Sequence, residues 1–86
     1  KNLRGVVILK LVDIGFGNML SANRILSILN PDSSPVKRIV HVAKEKSNLI
    51  DATCGRKTKS VIIMDSGHVV ASSMDSGKIC GELKEE

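Results

Sequence analysis

Residues 60–73 have the sequence SVIIMDSGHVVASS, and this pattern predicts a β-hairpin. The two flanking runs, 60–64 and 69–73, are rich in Val and Ile, residue types that favour strands. Asp-Ser-Gly-His joins the runs, and a glycine in so short a connection is typical of a hairpin turn. The stretch therefore predicts two antiparallel strands, to which the rest of the chain adds further elements.

The first part of the chain predicts two more strands. Residues 6–14 (VVILKLVDI) are aliphatic and β-branched and largely alternate, which predicts a strand that is apolar on much of both faces. Gly15 and Gly17 then indicate a tight bend with positive φ, and we expect Phe16 to be anchored in the core or at a subunit contact. Residues 25–29 (ILSIL) predict a second strand, although a helical turn also fits their periodicity.

An amphipathic helix is predicted between these strands and the hairpin, over residues 35–46. Ser34 supplies a hydroxyl cap and Pro35 occupies the first helical position. Apolar residues recur at helical spacing and are expected to face the sheet: Val36, Ile39, Val40 and Ala43. The opposite side of the helix is expected to face outward with Lys37, His41 and Lys44.

The fold class that follows is α+β: a small, mainly antiparallel sheet carries the amphipathic helix, followed by a short C-terminal helix or tail. Gly77 and Gly81 interrupt that last helix, and residues 75–86 end in an acidic tail. We expect one domain over residues 1–86. With one Phe and neither Tyr nor Trp, this small core favours burial of further apolar surface against copies of the chain, although a monomer remains open.

The cysteines and the hydrophobic pattern indicate a cytoplasmic protein. Two cysteines are too few for the disulfide framework of a small secreted domain, so both thiols are expected to be reduced. No stretch is long and apolar enough for a signal peptide or a membrane span, so no membrane partner is expected.

Residues that could support catalysis or metal binding lack the spacing that such chemistry needs. The histidines and cysteines include no close pair of the kind that starts a structural zinc site: His41, Cys54, His68 and Cys80. The bend at residues 15–18 lacks the complete glycine pattern of a nucleotide-binding loop, and no nucleophile elbow is present. Asp51, near Thr53 and Arg56, is expected to cap a turn or form an ion pair. We therefore expect no enzyme activity, cofactor, metal or small-molecule substrate.

Charge is distributed unevenly along the chain, whose formal net charge is +4. Residues 1–60 carry 11 Lys or Arg against 4 Asp or Glu, whereas residues 61–86 carry 2 against 5. A basic body with an acidic end predicts a polyanionic partner, while the alternative is that the lysines serve only solubility.

Three groups of basic residues are the candidate contacts. A basic turn at residues 55–59 follows a short extended segment, residues 49–54, and loops held by a rigid scaffold often carry binding groups. Lys37 and Arg38 lie at the predicted helix N-terminus. Cations there are mildly destabilising because of the helix dipole, and a bound anion would offset this cost. The shortage of aromatic residues favours duplex DNA over single strands. The candidate DNA-binding residues are Arg24, Lys37, Arg38, Arg56, Lys57 and Lys59.

Several motifs follow one another in fixed order along the chain: IGFGN at 14–18, SANR at 21–24, PVKR at 35–38, LIDAT at 49–53, GRKT at 55–58 and VIIMDS at 61–66. Together they resemble the bacterial extracellular matrix regulatory protein A family (RemA-like). The resemblance covers about residues 8–74, with residues 1–7 as an extension before the usual start and the tail after residue 74 outside it.

The resemblance implies a DNA-binding transcriptional regulator of biofilm extracellular-matrix and osmolyte genes that assembles into ring-like homo-oligomers. The DNA-contacting arginines of the family correspond to Arg24, Arg56 and the position of Lys57. Lysine at position 57 keeps the charge but loses the planar fork of arginine, and Cys54 stands where tyrosine is usual. The alternatives are a non-enzymatic structural or protein-interaction ring and an RNA-binding protein, against which the missing aromatic residues count.

Overall fold

The computed structural model describes residues 2–3, 6–7 and 10–84. Their strands are β1 (Asn2–Leu3), β2 (Val6–Val7), β3 (Leu11–Gly15), β4 (Asn18–Ser21), β5 (Ile25–Leu29), β6 (Leu49–Asp51), β7 (Ser60–Met64) and β8 (Val69–Ser72). The helices are α1 (Ser34–Glu45) and α2 (Ser76–Lys84), and a 3₁₀ turn spans Ala22–Arg24.

A four-stranded sheet with the order β5-β7-β8-β6 forms the centre of the molecule. The predicted hairpin is confirmed as β7 and β8, which pair antiparallel from Ser60 opposite Ser72 to Ile63 opposite Val69. Strand β5 pairs antiparallel with β7, whereas β6 runs parallel to β8. The sheet is therefore mainly antiparallel, and the α+β fold class is confirmed.

Both faces of this sheet are covered. Each strand contributes side chains to both faces, because successive residues of a strand point to opposite sides. On one face, α1 packs Val36 and Ala43 against Val61 and Val69. On the other face, Ile62 and Val70 belong to a second buried cluster with these residues of β3 and α2: Val12, Ile14 and Ile79. Burying a side chain of this size contributes roughly 1.5–3 kcal/mol. The two covered faces make the sheet a rigid support for the loops at its ends.

The strand predicted over residues 6–14 is only partly confirmed. The structure has β2 at residues 6–7 and a separate strand β3 from Leu11, while residues 8 and 9 lie outside the described residues. Strand β3 pairs with β4 in a separate two-stranded sheet. Just before Leu11, outside the strand ladder, Lys10 O accepts a hydrogen bond from Ala22 N at 2.9 Å. The ladder ends there because the partner strand turns into the 3₁₀ turn.

Helix α1 confirms the predicted amphipathic helix with two differences. Its cap is Ser33 rather than Ser34, since the Ser33 hydroxyl accepts a hydrogen bond from Val36 N at 3.4 Å. Ile39 was expected to face the sheet but remains 38% exposed, because α1 covers the sheet mainly through Val36 and Ala43. The remaining apolar residue of the predicted stripe, Val40, is half-buried.

The C-terminal segment forms a helix despite its two glycines. Ile79 of α2 is fully buried, and the Asp75 carboxylate accepts a hydrogen bond from Gly77 N at 2.9 Å at the start of the helix. The backbone of Asp13 in β3 donates to the Glu82 carboxylate at 3.3 Å. Part of the expected acidic tail is therefore packed structure. Within the described ranges, neither helix has the length and apolar character needed to cross a membrane.

Candidate nucleic-acid interface

A tight turn at residues 53–56 presents the basic loop, which we define as residues 55–59, between β6 and β7. Cys54 and Gly55 have φ values of 52° and 80°, and Arg56 N donates to Thr53 O at 3.0 Å. Glycine adopts a positive φ without strain, whereas a positive φ is uncommon for a non-glycine residue such as Cys54. The turn directs Arg56 and the next lysine away from the sheet, and both side chains are exposed.

The carboxylate of Asp51 holds this turn in place. It accepts hydrogen bonds from the Thr53 hydroxyl at 2.6 Å and from Thr53 N at 3.0 Å, which confirms the expected turn-capping role. These two bonds hold the pKa of Asp51 below its ordinary value, and the positive charge of Lys44 adds to the lowering against a small opposing effect of burial. The turn is therefore fastened to its ionised cap.

Ser72, at the end of β8, joins the basic loop to the bend between β3 and β4. Its carbonyl accepts a hydrogen bond from Lys59 N at 2.8 Å, and its buried hydroxyl donates to Ile14 O at 2.8 Å. The bend follows Ile14 directly, so the two loops come to the same end of the central sheet. There the Arg56 guanidinium carbon lies 5.7 Å from the centre of the Phe16 aromatic ring.

Phe16 is 51% exposed, so its expected burial in the core is wrong, and a subunit contact stays a prediction. The bend itself has the predicted positive φ at Gly15, Phe16 and Gly17. The aromatic side chain points to the surface because the core positions of this hairpin are taken by Val12 and Ile14.

Three of the six candidate residues line one groove. Arg56, Lys57 and Lys59 border a groove of about 530 Å³ together with Ser73. Lys57 and Lys59 also line a neighbouring groove that reaches the N-terminus of α2, and Thr58 lines a third groove with Lys37. The structure therefore gathers four candidates at what we call the basic end: Lys37, Arg56, Lys57 and Lys59.

Arg24 lies at the opposite end of β7. Its carbonyl accepts a hydrogen bond from Asp65 N at 2.7 Å, and its guanidinium Nη1 lies 3.1 Å from the Asp65 carboxylate. Asp65 follows the last residue of β7, whereas the basic loop precedes the first, and five strand residues span roughly 16 Å. The structure therefore does not place Arg24 beside Arg56 within one subunit.

Arg38 also lies apart from the basic end. It borders a largely apolar groove of about 410 Å³ that includes Ile39, Lys46 and Gly67. Consecutive helical residues point about 100° apart, so Lys37 and Arg38 face different surfaces although they are adjacent in sequence.

No cation of the basic loop forms a salt bridge with another residue in the range 10–84, whereas Arg24 does so with Asp65. Asp32 and Asp75 line the groove that Lys57 and Lys59 border towards α2, so part of the positive charge is offset there. Positive charges held close together raise the local potential, which acts over about 10 Å at 0.1 M salt. The basic loop thus presents a net positive surface to an anion.

The histidines and cysteines form no metal-binding group among the residues that the structure describes. His68 hydrogen-bonds with Ser66 at 2.8 Å, and Cys54 and Cys80 are free thiols. Two residues important for the site, Ser72 and Phe16, were not identified as such from the sequence. Their roles depend on pairing between distant segments, for which no local pattern gives a signal.

The protein is a small α+β domain. Its basic loop is carried by a central sheet that is covered on both faces. Residues 11–83 match the family described as "Extracellular matrix regulatory protein A-like", and the chain belongs to this family. The match extends beyond residue 74, where the sequence resemblance was expected to end. Helix α2 is therefore part of the family domain.

Relatives from several bacteria are similar over most of their length. A "Putative regulatory protein" of Carboxydothermus hydrogenoformans is 52% identical over 75 residues, which cover 87% of this chain and 86% of the relative. Another, of Geobacillus kaustophilus, is 49% identical over 77 residues, covering 90% and 88%. A third, of Cyanothece sp., is 58% identical over 66 residues, covering 77% and 72%.

Proposed function

We propose that this protein is a cytoplasmic transcriptional regulator that binds duplex DNA through its basic end. The observation that carries the proposal is the grouping of Arg56, Lys57 and Lys59, which form no salt bridge within residues 10–84 and line one groove on a loop fastened at both ends. Cations held in this way contact phosphates and release counterions, and such contacts supply much of the affinity of proteins for DNA. Family membership and the relatives' names support the regulatory role.

The proposed regulator acts as a homo-oligomer, as the family resemblance implies. Exposed apolar side chains support this assembly, because a chain of this size gains by burying them against further copies. Examples of these exposed side chains are Leu26, Leu11 and Ile50. Several copies would present several basic ends to one duplex, and linked weak contacts raise affinity without any strong single contact.

The genes that we propose as targets are those of the biofilm extracellular matrix, on the strength of the family resemblance. The proposal includes no enzymatic step. Its support is the family description and the names of the relatives, which indicate a regulatory protein.

The test compares wild type, Arg56→Ala and Lys78→Ala for binding to a fluorescent duplex over a series of salt concentrations. Lys78 is an exposed cation on α2 and serves as the charge-matched control. We expect wild type and Lys78→Ala to bind with a steep salt dependence and Arg56→Ala to bind much more weakly at the same oligomer mass. Absence of duplex binding by wild type at low salt would contradict the proposal.

A competition experiment separates the alternative partners. Unlabelled duplex DNA should displace the labelled duplex at lower concentration than a structured RNA of equal length. Preferential displacement by RNA would favour the RNA-binding alternative. A mass-stable oligomer that binds neither nucleic acid would favour a structural or protein-interaction role.

A further inference from the structure

Phe16 occupies a conformation and a position that the fold does not require of an aromatic residue. Its φ is 57°, in the left-handed region that bulky residues rarely adopt, and its side chain is half exposed. Gly15 and Gly17, on either side, also have positive φ, so these glycines already provide for the bend. Formation of the bend and of the core therefore leaves the aromatic side chain unexplained.

The backbone that carries Phe16 is firmly held. Asp13 Oδ1 accepts a hydrogen bond from Gly15 N at 2.8 Å, and the Asn18 amide donates to Gly15 O at 3.1 Å. The Ser72 hydroxyl secures the preceding residue by donating to Ile14 O. The aromatic ring thus projects from a bend that is fixed on both sides.

The turn that carries Arg56 is held in a similar way by Asp51, and the two turns meet where the Arg56 guanidinium lies over the Phe16 ring. The face of an aromatic ring attracts a cation without neutralising its charge. Within the described residues the Arg56 guanidinium donates no hydrogen bond to an acidic side chain, so its N–H donors are available for a phosphate.

We propose that Phe16 is a positioning residue for the DNA-binding function: it limits the motion of Arg56 and holds its donors towards the phosphate backbone. This inference rests on the function proposed above and assigns to one exposed side chain a role in preorganising the contact. Long side chains lose rotamer freedom on binding, and a support that restricts them beforehand reduces that loss.

The first experiment examines the free protein by NMR, without DNA. The Phe16 ring should shift the Arg56 Hδ resonances upfield, and Phe16→Met, which keeps apolar bulk, should abolish the shift. Met19→Leu is the matched control, because Met19 is similarly exposed on the same hairpin. Unchanged Arg56 resonances in Phe16→Met would overturn the inference regardless of any binding result.

The second experiment measures duplex affinity and its salt dependence for Phe16→Met, Phe16→Leu and Phe16→Tyr. We expect the first two to weaken binding roughly two- to fivefold for each basic end engaged, and Phe16→Tyr to bind like wild type. The slope against salt should stay unchanged, since no phosphate contact is removed. In an Arg56→Ala background, Phe16→Met should have no further effect, because the side chain that it positions is gone.

Four results would contradict the positioning role. Equal losses from Phe16→Met in the presence and absence of Arg56 would show that Phe16 acts on its own, and a changed oligomer mass would make it a subunit contact. Wild-type affinity in Phe16→Met together with lost binding in Arg56→Ala would overturn this inference and leave the proposed function standing. If wild type itself binds no duplex, the proposed function fails, and the positioning role fails with it.

Discussion

Two arginines at opposite ends of β7 are held by different kinds of partner. Arg24 lies 3.1 Å from the Asp65 carboxylate, whereas Arg56 lies over the Phe16 ring. Both side chains are exposed, and both were candidates from the sequence. The carboxylate reduces the field that Arg24 presents to a distant anion, while the aromatic ring leaves the charge of Arg56 intact. The partner of a cation, as well as its position, therefore determines how strongly it attracts an anion.

Removing the charge of the basic loop should have the largest effect on duplex binding. We expect the triple variant Arg56→Gln, Lys57→Gln and Lys59→Gln to lose about 100-fold or more in duplex affinity at moderate salt, because three cations that neutralise phosphates disappear together. The slope of log affinity against log salt should become shallower by roughly 0.9 for each phosphate that is no longer neutralised. Fluorescence anisotropy over a salt series measures both quantities.

The control for this variant carries the same number of substitutions elsewhere: Lys46→Gln, Lys78→Gln and Lys84→Gln. These exposed lysines lie directly after α1 and on α2. Equal losses in the two triple variants would mean that net charge, and not the basic end, determines binding.

Loosening the basic loop should have the next largest effect. Asp51→Ala removes both hydrogen bonds to Thr53, so Arg56 is no longer directed, and we expect affinity to fall several-fold. Asp51→Asn removes the same charge but keeps an acceptor oxygen, and it should retain more of the affinity. If the two variants bind equally, the hydrogen bonds do not matter for the site.

Acid should loosen the same turn in wild type. Because the pKa of Asp51 is lowered in the folded protein, its stabilising effect is complete above the ordinary aspartate pKa, near 4, and is lost as pH falls through the lowered folded value. We expect the Thr53 amide resonance to stay constant from pH 7 to about 4 and to move only below that. A Thr53 shift that titrates between pH 5 and 7 would be inconsistent with this cap.

Freeing Arg24 from its acidic partner should have a smaller effect on duplex binding. Asp65→Asn removes a negative charge at 3.1 Å from the guanidinium, so we expect duplex affinity to rise roughly two- to threefold. The pair is exposed, and such pairs contribute little to stability, so thermal unfolding should change little. Reduced affinity would instead mean that Asp65 orients Arg24 for binding.

The smallest predicted change concerns the identity of one cation. Lys57→Arg introduces a planar fork that can contact a phosphate through two hydrogen bonds, and we expect about a twofold gain in affinity with an unchanged salt slope. Lys78→Arg on α2 is the matched control. Equal gains in both variants would show that the geometry at position 57 has no special importance.

Local patterns in the sequence predicted the elements whose residues are close together along the chain. Strands β7 and β8, the bend at residues 15–18 and helix α1 follow from β-branched runs, glycines and helical spacing, and they are confirmed. Strand β6 runs parallel to β8 and therefore depends on pairing between distant segments. The β3–β4 hairpin joins neighbouring segments, yet β4 was not among the predicted strands. Packing of Ile79 likewise made a helix of a segment in which two glycines weaken the local preference.

The candidate site shows the same division. Arg56, Lys57 and Lys59 are neighbours in sequence, and the prediction that they act from one loop agrees with the groove that they share. The separation of Arg24 from this loop follows from the length of β7, and the separation of Arg38 from Lys37 follows from the turn of the helix. The contact of Phe16 with Arg56 needs the fold, because the two residues lie far apart in the sequence.

The most direct test of the central claim is the salt series of duplex binding for wild type and Arg56→Ala, with oligomer mass measured in parallel. Binding by wild type with a steep salt slope, and a large loss with a shallower slope in Arg56→Ala at unchanged mass, is the predicted result. Identical affinity and slope for the two proteins would contradict the assignment of DNA binding to the basic end.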